Sequence, residues 1–144
     1  MGEDEIFFPI ANARSFYVRD AANTILKFVV YDDLSQERTI ANGAASVLSV
    51  SEIGLPVEDV LQFSTRVKEQ LGVEPYPLSR PASEEFGFLG DASGQLVVVK
   101  LGHAWMPTET VRATVAPMQL TISGLRAQQI QLSPYPYTIT VTPS

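Results

Sequence analysis

In one part of the chain only do apolar residues recur at steps of three and four. Over residues 58–71, Val60, Leu61, Ser64, Val67 and Leu71, with Val57 just ahead of them, line one face of a helix. Glu58 and Asp59 fall in its first turn and Arg66 and Lys68 toward its last, the arrangement the helix dipole favours, and Gly72 supplies a left-handed terminator. Ahead of the helix, residues 45–57 alternate loosely through Val47, Val50, Ile53, Leu55 and Val57. After it, strand-like segments follow at 74–80, 84–91 and 95–101. The stretch 45–102 therefore predicts a complete βαβββ module.

On either side of the module the period is two. Residues 6–9 read as an edge segment or a lead-in arm, and 13–19 and 24–31 as a hairpin across Asp20-Ala21-Ala22-Asn23. Residues 32–43 are polar and aperiodic, a connector. Toward the C-terminus, strands are expected at 117–123, 129–133 and 135–142. Pro134 and Pro136 cannot donate to a ladder and place the start of the last strand at a sheet edge. The expected fold is α+β: a βαβββ module with a curved mixed sheet, plus antiparallel strands at both ends. A single domain over 1–144 contains all three parts, 13–31, 45–102 and 116–142.

A weak internal repeat runs through the two hairpins. Matching Asp20 to Asp91 sets Tyr17 against Phe88, Leu26 against Val97 and Lys27 against Val98. Two unrelated hairpins with Asp turns explain the same identities.

Composition narrows the function classes. Hydrophobic content of 45% with 18% charged residues is too apolar for a disordered chain. The net charge of −6, with no cluster of Lys or Arg, provides no face for nucleic acid or an anionic membrane. There is no cysteine, so disulfide and thiolate chemistry are excluded, in keeping with a cytoplasmic protein. The start, Met1-Gly2-Glu3-Asp4-Glu5, is acidic where a signal peptide is basic, and the apolar run at 96–101 is interrupted by Lys100 and far too short to span a bilayer.

Three blocks, in order, resemble the vicinal-oxygen-chelate superfamily, which includes glyoxalase I, extradiol ring-cleavage dioxygenases and bleomycin-resistance proteins. SEIGLPVEDV, from Ser51 to Val60, resembles the first strand and helix start of a second βαβββ module. FGFLGDASGQLVVVKLGHAWMPT, from Phe86 to Thr108, resembles that module's last hairpin and the loop after it. ARSFYVRDAANTILKFV, from Ala13 to Val29, is similar to the closing hairpin of a first module. The resemblance implies one full module preceded by the tail of another. Two readings account for the rest of the first module: an N-terminally shortened protein, or strands supplied from elsewhere. The strands at 13–19, 24–31, 117–123 and 135–142 are one such source. Pairing with a second copy, which would also cover exposed edges, is the other.

The resemblance also implies where a divalent metal (Fe, Mn, Ni or Zn) would be held. Carried onto this chain, those positions fall on Glu52, which has a donor, on Lys27, which repels a cation, and on Val98, which has no donor. One ligand is not a site, so a degenerate metal site without cofactor is expected, with Glu52 paired to Lys27 if the half-sheets face each other. His103, the only histidine, lies in a loop off the ligand position and is read as solvated; Trp105, the only tryptophan, is read as a loop anchor over the barrel mouth, with ligand stacking as the alternative. The adjacent pairs Glu84-Glu85 and Asp32-Asp33 are poor acid–base pairs, because strand neighbours face opposite ways.

The expectation is a glyoxalase- or dioxygenase-like protein that binds an apolar small molecule through Glu52, Lys27, Phe88 and Trp105, or serves in assembly as a homodimer, rather than an enzyme. The alternatives are a metal-dependent lyase or ring-cleavage dioxygenase completed by missing sequence or a partner chain, and a drug-sequestering protein of the bleomycin-resistance kind.

Overall fold

The computed structural model describes residues 5–33 and 49–144, so the expected strand start at 45–48 and most of the connector at 32–43 lie outside the described residues. The fold is α+β, and the chain divides into two compact units, Met1–Ser49 and Val50–Ser144.

In the first unit, β1 (Glu5–Phe8), β2 (Ala13–Arg19) and β3 (Ile25–Tyr31) form an antiparallel sheet in that order. The expected edge segment is thus an edge strand, paired with β2. The β2–β3 turn closes because Asp20 Oδ1 accepts from the backbone N–H groups of Ala22 (2.9 Å) and Thr24 (2.8 Å).

The second unit opens with β4 (Glu52–Val57) and α1 (Val60–Leu71), followed by the hairpin of β5 (Phe86–Asp91) and β6 (Gly94–Lys100). β6 inserts between its neighbours, parallel to β4 and antiparallel to β5. The last three strands, β7 (Met118–Gly124), β8 (Gln128–Gln131) and β9 (Tyr137–Pro143), repeat that topology: β9 lies between β7, which it parallels, and β8. The last strand is therefore central, not an edge. Pro134 and Pro136 precede it, and Pro136, which has no N–H to donate, contributes its carbonyl, accepting from Met118 N–H at 2.9 Å. The four strands considered as a substitute half-module are divided between two sheets.

Two further expectations change. Residues 74–80 do not form a strand but a single bridge, Pro75 to Leu89, flanked by hydrogen bonds from Tyr76 N–H to Phe88 O and from Gly90 N–H to Glu74 O. Pro75, Pro77 and Pro81 remove the donors that a longer ladder needs. The module is βαββ with one extra rung.

The helix is present, and it is rotated from its expected face. Val60, Phe63, Ser64 and Val67 are buried, whereas Leu61 is 44% exposed. Asp59 is the N-cap, its carboxylate accepting from Gln62 N–H at 2.9 Å, and Gly72 ends the helix at φ 69° with its N–H on Lys68 O. The core joins α1 to Leu55, Val57, Leu89, Leu96 and Val98 on one side and to Leu132, Tyr137 and Ile139 of the C-terminal strands on the other.

Helix and sheet meet closely at Gly87, where a methyl group would fall 2.9 Å from Ser64 Oγ. That hydroxyl is buried and has no hydrogen-bond partner among the described residues. A desolvated, unpaired hydroxyl costs roughly 1–3 kcal/mol, and alanine is the better helix former. Ser64→Ala is expected to raise the unfolding free energy by about 1 kcal/mol in urea titrations.

Candidate functional site

The β4–β6–β5 sheet has two faces with different fates. Ile53, Leu55 and Val57 pair with Leu96, Val98 and Lys100, and Gly87 and Leu89 complete this face, which packs against α1. Val98 is fully buried there. It lies on the opposite side of the sheet from Glu52, so its lack of a donor atom is a packing matter.

The other face is a grid of three rows, set by the register. Glu52, Gln95 and Gly90 form the first row; Gly54, Val97 and Phe88 the second; Pro56, Val99 and Phe86 the third. The polar groups sit at one end. Glu52 is half-buried and Gln95 is 8% exposed. The middle row is low on the β4 side because Gly54 has no side chain, and the ring of Trp105 takes that space. A methyl at Gly54 would fall 2.5 Å from Trp105 Cη2. Gly90 is held at φ 123°, a conformation that side chains rarely adopt.

The loop after β6 brings Trp105 over Gly54. Trp105 N–H donates to Val111 O at 2.9 Å, and Thr108 N–H returns to Trp105 O at 2.8 Å. The Thr108 hydroxyl ties the turn by accepting from Val111 N–H. Trp105 is thus a loop anchor on this face, where Phe88 is also placed. Glu52, Phe88 and Trp105 come together within the second unit. Lys27 belongs to the first, its ammonium 4.8 Å from the centroid of the Phe8 ring. Its pairing with Glu52 remains an expectation, the two residues belonging to different units.

His103 is not merely solvated. Its Nδ1 lies 3.1 Å from Glu85 Oε2, and its ring meets Phe86 edge-on at 4.4 Å. Lys100 Nζ stands 3.4 Å from the other Glu85 oxygen. The hydrogen bond from His103, followed by Lys100, holds the Glu85 carboxyl below its ordinary range. The imidazole is fixed at one nitrogen by a carboxylate that a cation already satisfies. Such an arrangement orients the ring beside the third row of the grid.

Glu52 and Gln95 are the two side chains of the grid that carry oxygen donors. Among the described residues no group of three His, Cys, Asp or Glu side chains converges.

Sequence reasoning missed Gln95. The signal for it was present: Gln95, Val97 and Val99 share one side of a period-two strand, and the parallel partner Glu52 selects which side. It also misaligned the hairpins by one position. Three residues separate Asp20 from Thr24, which lie opposite each other with Asp20 N–H donating to Thr24 O, but only two separate the paired Asp91 and Gly94. Counted from the turns, Leu26 corresponds to Leu96, and Lys27 to Val97 on the grid. A slip of one residue exchanges the faces of a strand.

An α+β protein that presents a mixed polar and apolar strand grid is the class these features define. No protein-family model matches the chain, and no curated protein matches it. Among solved structures it is similar to lactoylglutathione lyase from Agrobacterium tumefaciens, with 9% sequence identity, a TM-score of 0.47, and coverage of 67% of this chain and 93% of that one. Among the described residues no helix is long and apolar enough to cross a membrane.

Proposed function

We propose that this chain is a cytoplasmic protein of glyoxalase- or dioxygenase-like fold that binds a small, mainly apolar molecule on the β4–β6–β5 grid and performs no metal-dependent catalysis. The observation that carries this reading is the make-up of the grid. Its middle row offers Val97, Phe88 and the Trp105 ring as apolar contacts. Its first row offers one carboxylate and one carboxamide as orienting groups. A few polar groups at the end of an apolar surface is the usual composition of a small-molecule site. A chain without cysteine suits a reducing compartment.

Trp105 is the sole tryptophan and reports from the grid itself. Titration with Nile red, a neutral apolar dye, is expected to change Trp105 emission saturably at one site per chain. Phe88→Ala is expected to weaken that binding about tenfold, the loss of roughly 1.4 kcal/mol of ring contact. Absence of a saturable change defeats the reading. So does stoichiometric Fe, Mn, Ni or Zn in protein purified without chelators, which would favour the metal-dependent enzyme instead.

A further inference from the structure

The first unit carries an apolar surface that the grid does not use. Register places Phe7, Phe16, Val18, Leu26, Phe28 and Val30 on one face of the β1–β2–β3 sheet. All six are exposed, from 37% at Phe28 to 58% at Val30. Phe16 and Phe28 stack with centroids 5.0 Å apart and planes 10° from parallel. Corresponding positions in the second unit show what such a face normally does. Counted from the two Asp turns, Phe16, Val18, Leu26 and Phe28 correspond to Gly87, Leu89, Leu96 and Val98, all buried against α1.

We infer that this face is the interface of a homodimer, each sheet packing face to face on the same sheet of a second copy. Two observations select a second copy as the occupant. First, α1 approaches its sheet at Gly87, where even a methyl group would be crowded, whereas the first unit has a phenylalanine ring at that position. A helix seated as α1 is seated would collide with the Phe16–Phe28 stack. Two sheets pack about 10 Å apart, room for such rings to interdigitate. Second, the size is right. The six exposed side chains offer roughly 500–600 Å² per copy, so about 1,000–1,200 Å² in a twofold pair, at the lower bound for a specific interface. A patch of that size is at the upper end of what a monomer exposes, and such patches are often functional. At one end, Arg14 with Asp32 at 2.8 Å and Glu5 at 4.0 Å gives the face a polar rim containing both signs of charge, which suits a surface that must meet itself.

Sedimentation equilibrium of the full chain across micromolar concentrations is expected to give twice the 15.7 kDa chain mass. Leu26→Lys with Val30→Lys, both at exposed strand positions, is expected to weaken dimerisation at least tenfold while leaving the circular dichroism spectrum unchanged. Hydrogen exchange on the unaltered chain gives a second measurement, independent of how that variant folds: protection of residues 13–31 is expected to fall on dilution. A chain that stays monomeric at all concentrations overturns the inference. A dimer that persists in the folded double variant, or that loses protection elsewhere on dilution, overturns the surface assignment. A monomer that takes up an amphipathic helical peptide on this face overturns the choice of occupant.

Discussion

Phe63→Ala is expected to lower the unfolding free energy by about 3–5 kcal/mol, the range for deleting a buried aromatic ring. Phe63 is 3% exposed and sits on α1 between two strand systems. Its ring meets Tyr135 edge-on at 5.5 Å and Tyr137 edge-on at 6.2 Å, while those two rings stack on each other at 5.5 Å. The vacated space cannot readily close. Helix position is fixed on one side by Gly87, where an added methyl group would fall 2.9 Å from Ser64 Oγ, and on the other by Arg66, whose guanidinium donates to the carbonyls of Ser133 and Gln131. A loss of this size is a large part of the roughly 5–15 kcal/mol by which a domain is stable. Leu61→Ala on the same helix is the control. Periodicity alone put Leu61 in the core, but at 44% exposure it is expected to cost no more than about 1 kcal/mol. Urea titrations followed by circular dichroism measure both. Equal losses would mean that the helix sits on its expected face.

That contrast shows how much of the fold was legible in the sequence. A helix between apolar strands was legible because its period, its cap and its glycine terminator all agree. Its rotation was not. Leu61 and Phe63 flank the Val60, Ser64 and Val67 stripe on opposite sides, and the tyrosines that Phe63 packs against lie more than 70 residues later in the chain. The strand expected at 74–80 fails because local prolines outweigh alternation. The site was legible in part. Glu52 and Phe88 lie on the grid and Trp105 over it, all within one unit. The correspondence of Lys27 with Val97 depends on turn length, which motif matching from the Asp residues does not count, and Gln95 depends on the pairing of its strand with Glu52. His103 looked isolated because its partner, Glu85, is separated from it by the whole of the β5–β6 hairpin.

Tyr135 and Tyr137 also decide how the strands that carry the grid respond to pH. The Tyr137 hydroxyl donates to Pro56 O at 2.6 Å, and the Tyr135 hydroxyl accepts from Glu58 N–H at 2.9 Å, so the C-terminal sheet satisfies backbone groups where β4 passes into α1. Burial, with a smaller contribution from Tyr135, pushes the Tyr137 phenol up from its ordinary 10 to about 12. The sign follows from the raised value. Below pH 10 the phenol is neutral in both folded and unfolded chains, and its contribution to stability is complete. Between pH 10 and about 12 only the unfolded chain ionises there, and stability falls by roughly 1.4 kcal/mol per pH unit to a total loss of about 2–3 kcal/mol, after which it levels. Tyr137→Phe removes this loss but strands the Pro56 carbonyl, at a cost of about 1–3 kcal/mol near neutrality. Urea titrations of the two proteins at a series of pH values are therefore expected to show the variant weaker at pH 8, with its deficit shrinking above pH 10 and closing near pH 12. Parallel curves over that range would show that the Tyr137 proton is not held by the fold. Groups common to both proteins cancel in the difference.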